Sequence, residues 1–220
     1  MAAEPAPSLT LLHTSPVHVP VFDALRDRDH PGAVLRHLVA PQLLDRARAE
    51  GPEAVAEDIR ALLAQEPQGA PGGPVLCTCS TIGGVAEALA PALGVPVLRV
   101  DRPMCAAAVR LGPRIEVLAT VASTLAPTAA LIEEEAGPEP VRVRTWLVEG
   151  AWACFEADDT AGYLALVAAA ADAVTDADAI VLAQASMAGA ADLVTTRIPV
   201  LASPAPGLAA ALAAPARRKA

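Results

Sequence analysis

The stretch Pro74-Val-Leu-Cys-Thr-Cys79-Ser-Thr-Ile-Gly-Gly84 decides the fold. Val75 to Cys77 is too short and too apolar to be anything but a buried strand or a piece of core helix. Val85, Ala86, Ala88 and Leu89, with Glu87 among them, then read as an amphipathic helix. Gly83 and Gly84 are expected to let the backbone turn tightly between the two. A strand that runs into a helix leaves the first N–H groups unpaired and aims the positive end of the dipole at whatever binds there, which suits an anion. Cys79 lies at the break, where that field makes it a better nucleophile or proton acceptor than a core thiol. Ser80 and Thr81 add hydroxyl donors. The same cysteine also reads as a small buried hydrophobe, and Cys77, in mid-strand, is assigned to that role.

Working outward, 220 residues suffice for one large domain or two small ones. The chain is 54% apolar but only 2% aromatic, so its core is built from Ala, Val and Leu. A net charge of −9 excludes a phosphate-backbone partner, because nucleic-acid binding is carried by clustered Lys and Arg. The one basic cluster, Arg217-Arg218-Lys219, reads as a solubilising tail. The four cysteines offer a single Cys-x-Cys with no second pair or His-x-His to complete a zinc site, so no metal is expected. No run reaches the length of a membrane span, and the N-terminus has no leader pattern. These features read as a soluble, reduced, cytoplasmic protein.

Strands are expected at Ser8–Leu12, Val34–Val39, Gly94–Asp101, Arg114–Ala119, Val141–Val148, Ala179–Leu182 and Pro199–Leu201. Helices are expected at Pro41–Glu50, from Pro52 to Gln65, at Met104–Leu111, from Thr124 through Glu135, and at Thr160–Thr175, Ser186–Thr195 and Gly207–Ala213. Asp23–His30 reads as a charged exposed segment, Pro67–Gly73 as a loop and Glu149–Asp159 as irregular. Alternating strands and helices mean parallel sheet with helices on both faces. His13 and His18, in the polar cluster after the first strand, are candidate site residues or ordinary surface residues. Thr120, Ser123 and Thr124 form a second hydroxyl-rich strand end that either caps the next helix or holds a second carboxylate.

Val75-Leu76-(x3)-Ser80-(x2)-Gly83 aligns with Val181-Leu182-(x3)-Ser186-(x2)-Gly189, and Pro96 to Leu98 aligns with Pro199 to Leu201. The offsets, near half the chain, suggest two similar α/β units, with chance similarity the alternative because much of the second half is low-complexity Ala and Val. Residues 1–100 with 201–220 are assigned to the first unit and 101–200 to the second.

A strand ending in Cys-Ser-Thr, then Thr120-x-x-Ser-Thr124, then Val181-Leu-x-x-Ala-x-Met-Ala188, resembles the aspartate/glutamate/hydantoin racemase superfamily from about Leu9 to Leu208. The resemblance implies two pseudo-symmetric Rossmann-like units with parallel sheets, an active site in the cleft between them, and no cofactor. It implies two cysteines, one removing the α-proton and the other returning a proton from the far side. Cys79 matches the first. Ser80 and Thr81 match residues that bind the substrate carboxylate, and Thr120, Ser123 and Thr124 fall in the second carboxylate-binding segment. The family's second motif puts Gln184 where the second cysteine belongs, whereas the internal repeat puts Ala185 there. Neither is a thiol, and an amide cannot shuttle a proton. The acidic or histidine helpers of glutamate racemases have no clear match. Ser15 stands near the one and Ser186 near the other, and both join the substrate-binding set.

Three readings follow. The first is a cofactor-independent enzyme on a small carboxylic or amino acid, of racemase, isomerase or decarboxylase type, with Cys79 as its lone acid–base group and Gln184 orienting substrate. In the second, Cys105, Cys154 or a histidine supplies another proton. The third is a non-catalytic carboxylate-binding protein that retains the fold. The expected partner is a small carboxylate or amino acid, with no nucleic acid and no membrane, and a homo-oligomer is left open.

Overall fold

A computed structural model describes residues 7–64 and 73–215. Apart from Gly73, the expected Pro67–Gly73 loop lies outside the described residues, as does the Arg217-Arg218-Lys219 tail. The chain divides into two compact units: everything up to Val100 together with the segment from Pro204, and Asp101–Ser203.

In chain order the first unit holds β1 (Ser8–His13), α1 (His18–Asp29), β2 (Val34–Val39), α2 (Pro41–Glu50), a 3₁₀ turn (Pro52–Val55), α3 (Ala56–Ala64), β3 (Val75–Cys77), α4 (Ser80–Ala88), α5 (Ala90–Leu93) and β4 (Val97–Arg99). The second holds α6 (Arg102–Leu111), β5 (Arg114–Ala119), a 3₁₀ turn (Ala122–Thr124), α7 (Leu125–Ala136), β6 (Arg142–Leu147), α8 (Ala151–Glu156), α9 (Thr160–Asp172), β7 (Ala179–Leu182), a 3₁₀ helix (Ala185–Asp192) and β8 (Val200–Ala202). The chain then closes the first unit with α10 (Pro204–Ala213). Each unit has one four-stranded sheet, ordered β2-β1-β3-β4 and β6-β5-β7-β8, with every pairing parallel.

Strand alternation sorts the side chains onto two faces. In the first sheet Leu12, Val75, Cys77 and Val97 pack with Leu43, Ile59, Ile82 and Val85 from α2, α3 and α4. Leu9, Leu11 and Leu76 point the other way, onto Phe22 of α1 and Leu208 of α10. In the second sheet Ile115, Val117, Ala179 and Val181 meet Met104 and Leu131 from α6 and α7, and Leu118, Ile180 and Leu182 meet Tyr163 and Val167 of α9. Both faces of the central strands are therefore covered, which is why β3 and β7 read as unbroken apolar runs. α10 comes so close to the first sheet that a Cβ at Gly207 would lie 2.5 Å from the Val100 carbonyl oxygen, so a glycine is required there.

Four elements differ from the sequence reading. Asp23–His30 is largely the second half of α1, because Phe22 and Leu25 supply a core-facing pair at i,i+3 and Asp23 pairs with Arg26 at 3.0 Å. Pro20 is tolerated because it falls in the first turn, where the N–H has no helical partner. Glu149–Asp159 contains the short α8, stiffened by the stacked rings of Trp152 and Phe155, 4.8 Å apart. The helix expected over Ser186–Thr195 is a 3₁₀ helix ending at Asp192. The Asp172 carboxylate accepts the backbone N–H groups of Thr195 and Thr196 at 2.7 and 2.8 Å and so ends it. Gly83 and Gly84 do not make a turn; they lie inside α4, where the missing Cβ atoms admit the buried Arg99 side chain, whose Nε would sit 3.2 Å from a Cβ at Gly83. Among the described residues no helix is long and apolar enough to cross a membrane.

Candidate functional site

The chemistry-bearing residues gather at one strand end in each unit. In the first, Thr78 ends the β3 ladder by donating its backbone N–H to Leu12 O at 3.0 Å, and Cys79 is extended and sits at the N-cap position of α4. Cys79 is buried, with 8% of its surface exposed, against 1% for Cys77 and 0% for Cys105. Its neighbours are the apolar side chains of Ile82 and Val85 on one side of the sheet. Cys77 follows the expected core role, and its thiol donates to Cys79 O at 3.7 Å. Ser80 and Thr81 form the first turn of α4 and are buried. Ser15, half-buried, lies in the turn between β1 and α1, where its carbonyl oxygen accepts the N–H of His18 at 3.5 Å.

In the second unit Ala183 makes the bond that Thr78 makes in the first, N–H to Leu118 O at 2.9 Å. Gln184 follows, extended, at the N-cap position of the 3₁₀ helix. Leu12 pairs with Cys77, and Leu118 with Leu182. Counting two residues on from Cys77 and from Leu182 sets Cys79 against Gln184, not against Ala185.

Gln184 is bound inward. Its Oε1 accepts the backbone N–H groups of Thr120 and Val121 at 2.6 and 3.1 Å and the Thr120 hydroxyl at 3.0 Å. Thr120 Oγ1 also lies 3.4 Å from the Tyr163 hydroxyl, which is 2.8 Å from Ser186 Oγ. Thr120, Gln184 and Ser186 thus share one network, and burial pushes the Tyr163 phenol up from its ordinary pKa. Thr124 does not cap α7 through its side chain; its hydroxyl donates back to Val121 O. Ser123, half-buried, shares its 3₁₀ turn.

Of the alternative proton donors, Cys105 is sealed in the second unit's core beside Met104 and Ala108, and Cys154 is half-buried against the α9 cluster. His13 is fully buried at the end of β1, with Nδ1 2.8 Å from Thr78 Oγ1 and Nε2 2.8 Å from His37 Nδ1. Burial first, then the neighbouring His18 and His37, lowers its pKa to about 3, and burial lowers His18 to about 4. Both rings are neutral at physiological pH, and neither is a surface residue. Sequence reading missed His37, Thr78 and Arg99. The period-two placement of Leu35 and His37 on one face of β2 was the available signal for the first. Among the described residues no three His, Cys, Asp or Glu side chains gather as a metal-ligand set.

The fold matches solved structures at low identity. Allantoin racemase from Pseudomonas fluorescens superposes with a TM-score of 0.63 at 18% identity, covering 97% of this chain and 98% of that one. Aspartate racemase from Picrophilus torridus gives 0.63 at 16%, covering 93% and 92%. A variant of arylmalonate decarboxylase in a sulfate-associated form gives 0.60 at 21%, covering 97% of both chains. No curated protein was found with significant sequence similarity to this chain. The sequence profile of Asp/Glu/Hydantoin racemase matches residues 21–211. With that match spanning most of its length, the chain belongs to the Asp/Glu/hydantoin racemase family.

Proposed function

We propose that this protein is a cofactor-independent enzyme that moves a proton at the α-carbon of a small carboxylic or amino acid, with Cys79 as its single acid–base group. The observation that carries this reading is the matched placement of Cys79 and Gln184 two residues past the ends of β3 and β7: one junction presents a thiol, the other an amide. Racemisation by two bases needs a group on each face of the α-carbon, and an amide neither accepts nor releases a proton at neutral pH. One thiol suffices for decarboxylation. The bond from the α-carbon to one carboxylate breaks, carbon dioxide leaves, and the electron pair stays on the α-carbon as an enolate of the remaining carboxyl group. The Cys79 thiol then protonates that carbon, and the thiolate recovers a proton from water.

In this reading Ser80 and Thr81, with the first N–H groups of α4, bind the carboxylate that remains. Gln184 orients the substrate through its amide nitrogen, because its oxygen already holds the Thr120–Val121 turn. Ser15, Ser123, Thr124 and Ser186 complete the substrate-binding set, and Thr120 belongs to it through Gln184, whose Oε1 its N–H and hydroxyl hold. Four free cysteines fit a reducing compartment, so the reading places the protein in the cytoplasm.

A second reading, a carboxylate-binding protein without turnover, is favoured by one specific observation. Gln184 Oε1 already takes the Thr120 and Val121 N–H groups and the Thr120 hydroxyl, so the second junction is filled by the protein's own amide and the Cys79 junction is left to hold a single carboxylate, as binding without decarboxylation requires. Cys79→Ser separates the two. An enzyme loses turnover of α-substituted malonates or amino acids while these ligands still raise the melting temperature. A binding protein shows the same stabilisation in both forms and no product in either.

A further inference from the structure

A line of polar side chains runs through the first unit beside the Cys79 junction, from the 37%-exposed Asp23 through the half-buried His37 to the buried His13 and Thr78. Asp23 Oδ1 is 3.4 Å from His37 Nε2, His37 Nδ1 is 2.8 Å from His13 Nε2, and His13 Nδ1 is 2.8 Å from Thr78 Oγ1. The two imidazoles stack with centroids 5.1 Å apart and 15° between planes, and Phe22 closes over His13 at 5.6 Å. His18 of α1 and His37 of β2 face His13 directly; Asp23 of α1, paired with Arg26, reaches it only through His37, and Thr78 lies one residue past β3.

A neutral imidazole has one donor and one acceptor nitrogen. His13 uses both ring nitrogens, one as donor and one as acceptor, on Thr78 Oγ1 and His37 Nδ1. Thr78 Oγ1 reaches a second partner, Leu12 O, at 3.1 Å, and that carbonyl, with two lone pairs, also accepts the Thr78 N–H. Thr78 thus ties the His13 ring and the β1 backbone to the β3–α4 turn.

The fold does not need this line. Through the strand pairings, His13, His37 and Thr78 correspond to Ala119, Thr145 and Ala183 of the second unit, where the same ladder bond forms without any of it. Burying polar groups costs free energy unless each finds a partner, so a fully ordered set on one side of the repeat points to a task specific to that junction.

We infer that Asp23, His37, His13 and Thr78 form a hydrogen-bond chain whose task is to hold the β3–α4 turn, and so to position Cys79. These are positioning residues. Their effect on turnover rests on the role proposed for Cys79, but the chain itself does not.

The test has two arms on the full-length protein. Nitrogen-15 NMR of the histidine rings is expected to show His13 neutral down to pH 5, with a scalar coupling through the hydrogen bond between His13 Nε2 and His37 Nδ1. His37→Gln is expected to change the His13 ring shifts. In the second arm, iodoacetamide alkylation of the Cys79 peptide is followed by mass spectrometry across pH. Thr78→Val is expected to change the rate by about two- to tenfold, the weight of one net hydrogen bond, and Thr78→Ser to restore it. Absence of that coupling, or a charged His13 at pH 7, overturns the inference. So does a Thr78→Val protein whose Cys79 alkylation profile matches wild type, or, should that variant fail to fold, a Thr78→Ser protein whose profile departs from wild type. Both arms are independent of any substrate, so loss of the proposed activity and loss of this inference register separately.

Discussion

The two units share an order of strands and differ in what stands at the ends of those strands. β2-β1-β3-β4 and β6-β5-β7-β8 are the same topology built twice, with Leu12 against Cys77 in one and Leu118 against Leu182 in the other. Past those pairs the first unit presents His13, Thr78 and Cys79, and the second Ala119, Ala183 and Gln184. The alanines show what the fold requires, which is little beyond the ladder bond. The polar side chains opposite them are additions, and they are where function is to be sought.

The largest effect should come from erasing the difference at the junction. Cys79→Gln, which gives both units an amide, is expected to lower kcat by about 10²–10⁴-fold, the usual weight of a positioned acid–base group, in an assay of carbon dioxide release or proton exchange. Retained activity would break the comparison.

Where the units are alike they should respond alike. Leu76→Ala and Leu182→Ala each remove a fully buried side chain from a central strand. Each is expected to cost about 2–5 kcal/mol in urea unfolding; a cost confined to one of them would show that the units do not share one plan of core.

Acid should act mainly through the first unit. His13 and His18 have pKa values lowered from 6.5 to about 3 and about 4. Between those limits the unfolded chain binds more protons than the folded one, so stability is full above pH 6.5 and falls as the pH drops toward 3. The urea midpoint should decline over this window, and His18→Leu, which removes an Nδ1 buried without a partner, should flatten the decline. A midpoint independent of pH between 6.5 and 4 would contradict buried neutral rings.

The smallest effect is expected at Tyr163→Phe. It deletes a hydroxyl 2.8 Å from Ser186 Oγ and 3.4 Å from Thr120 Oγ1, for about 1 kcal/mol. In a chain of this size that is a fall of about 2–4 °C in Tm by calorimetry.

Much of this architecture was legible from apolar runs alone. Arg114–Ala119 and Ala179–Leu182 have the bounds their residues suggest, because a strand in a parallel sheet is apolar wherever it is covered; the edge strand Val34–Val39 has them too, although it carries Arg36 and His37 and none of its residues is buried. Register was harder. The repeat read from sequence uses an offset of 106 and lands on Ala185, whereas pairing to β1 and β5 sets Cys77 against Leu182, an offset of 182 − 77 = 105, and lands on Gln184. A run of Val, Leu and Ala does not record a slip of one residue; the ladder does. The Asp23–His37–His13–Thr78 line was invisible for another reason: its members come from separate segments and meet only because β1 lies between β2 and β3. Gly83 and Gly84 looked like a turn because the space Arg99 occupies cannot be seen from their neighbours in sequence.

The most direct test of the single-thiol account is turnover in deuterated water of a panel of α-substituted malonates and single-enantiomer amino acids, with product configuration and isotope content read together. The account predicts a malonate converted to product with one solvent deuterium in one configuration, and loss of that reaction in Cys79→Ala. Racemisation of a single enantiomer, or product formation that survives Cys79→Ala, would contradict it.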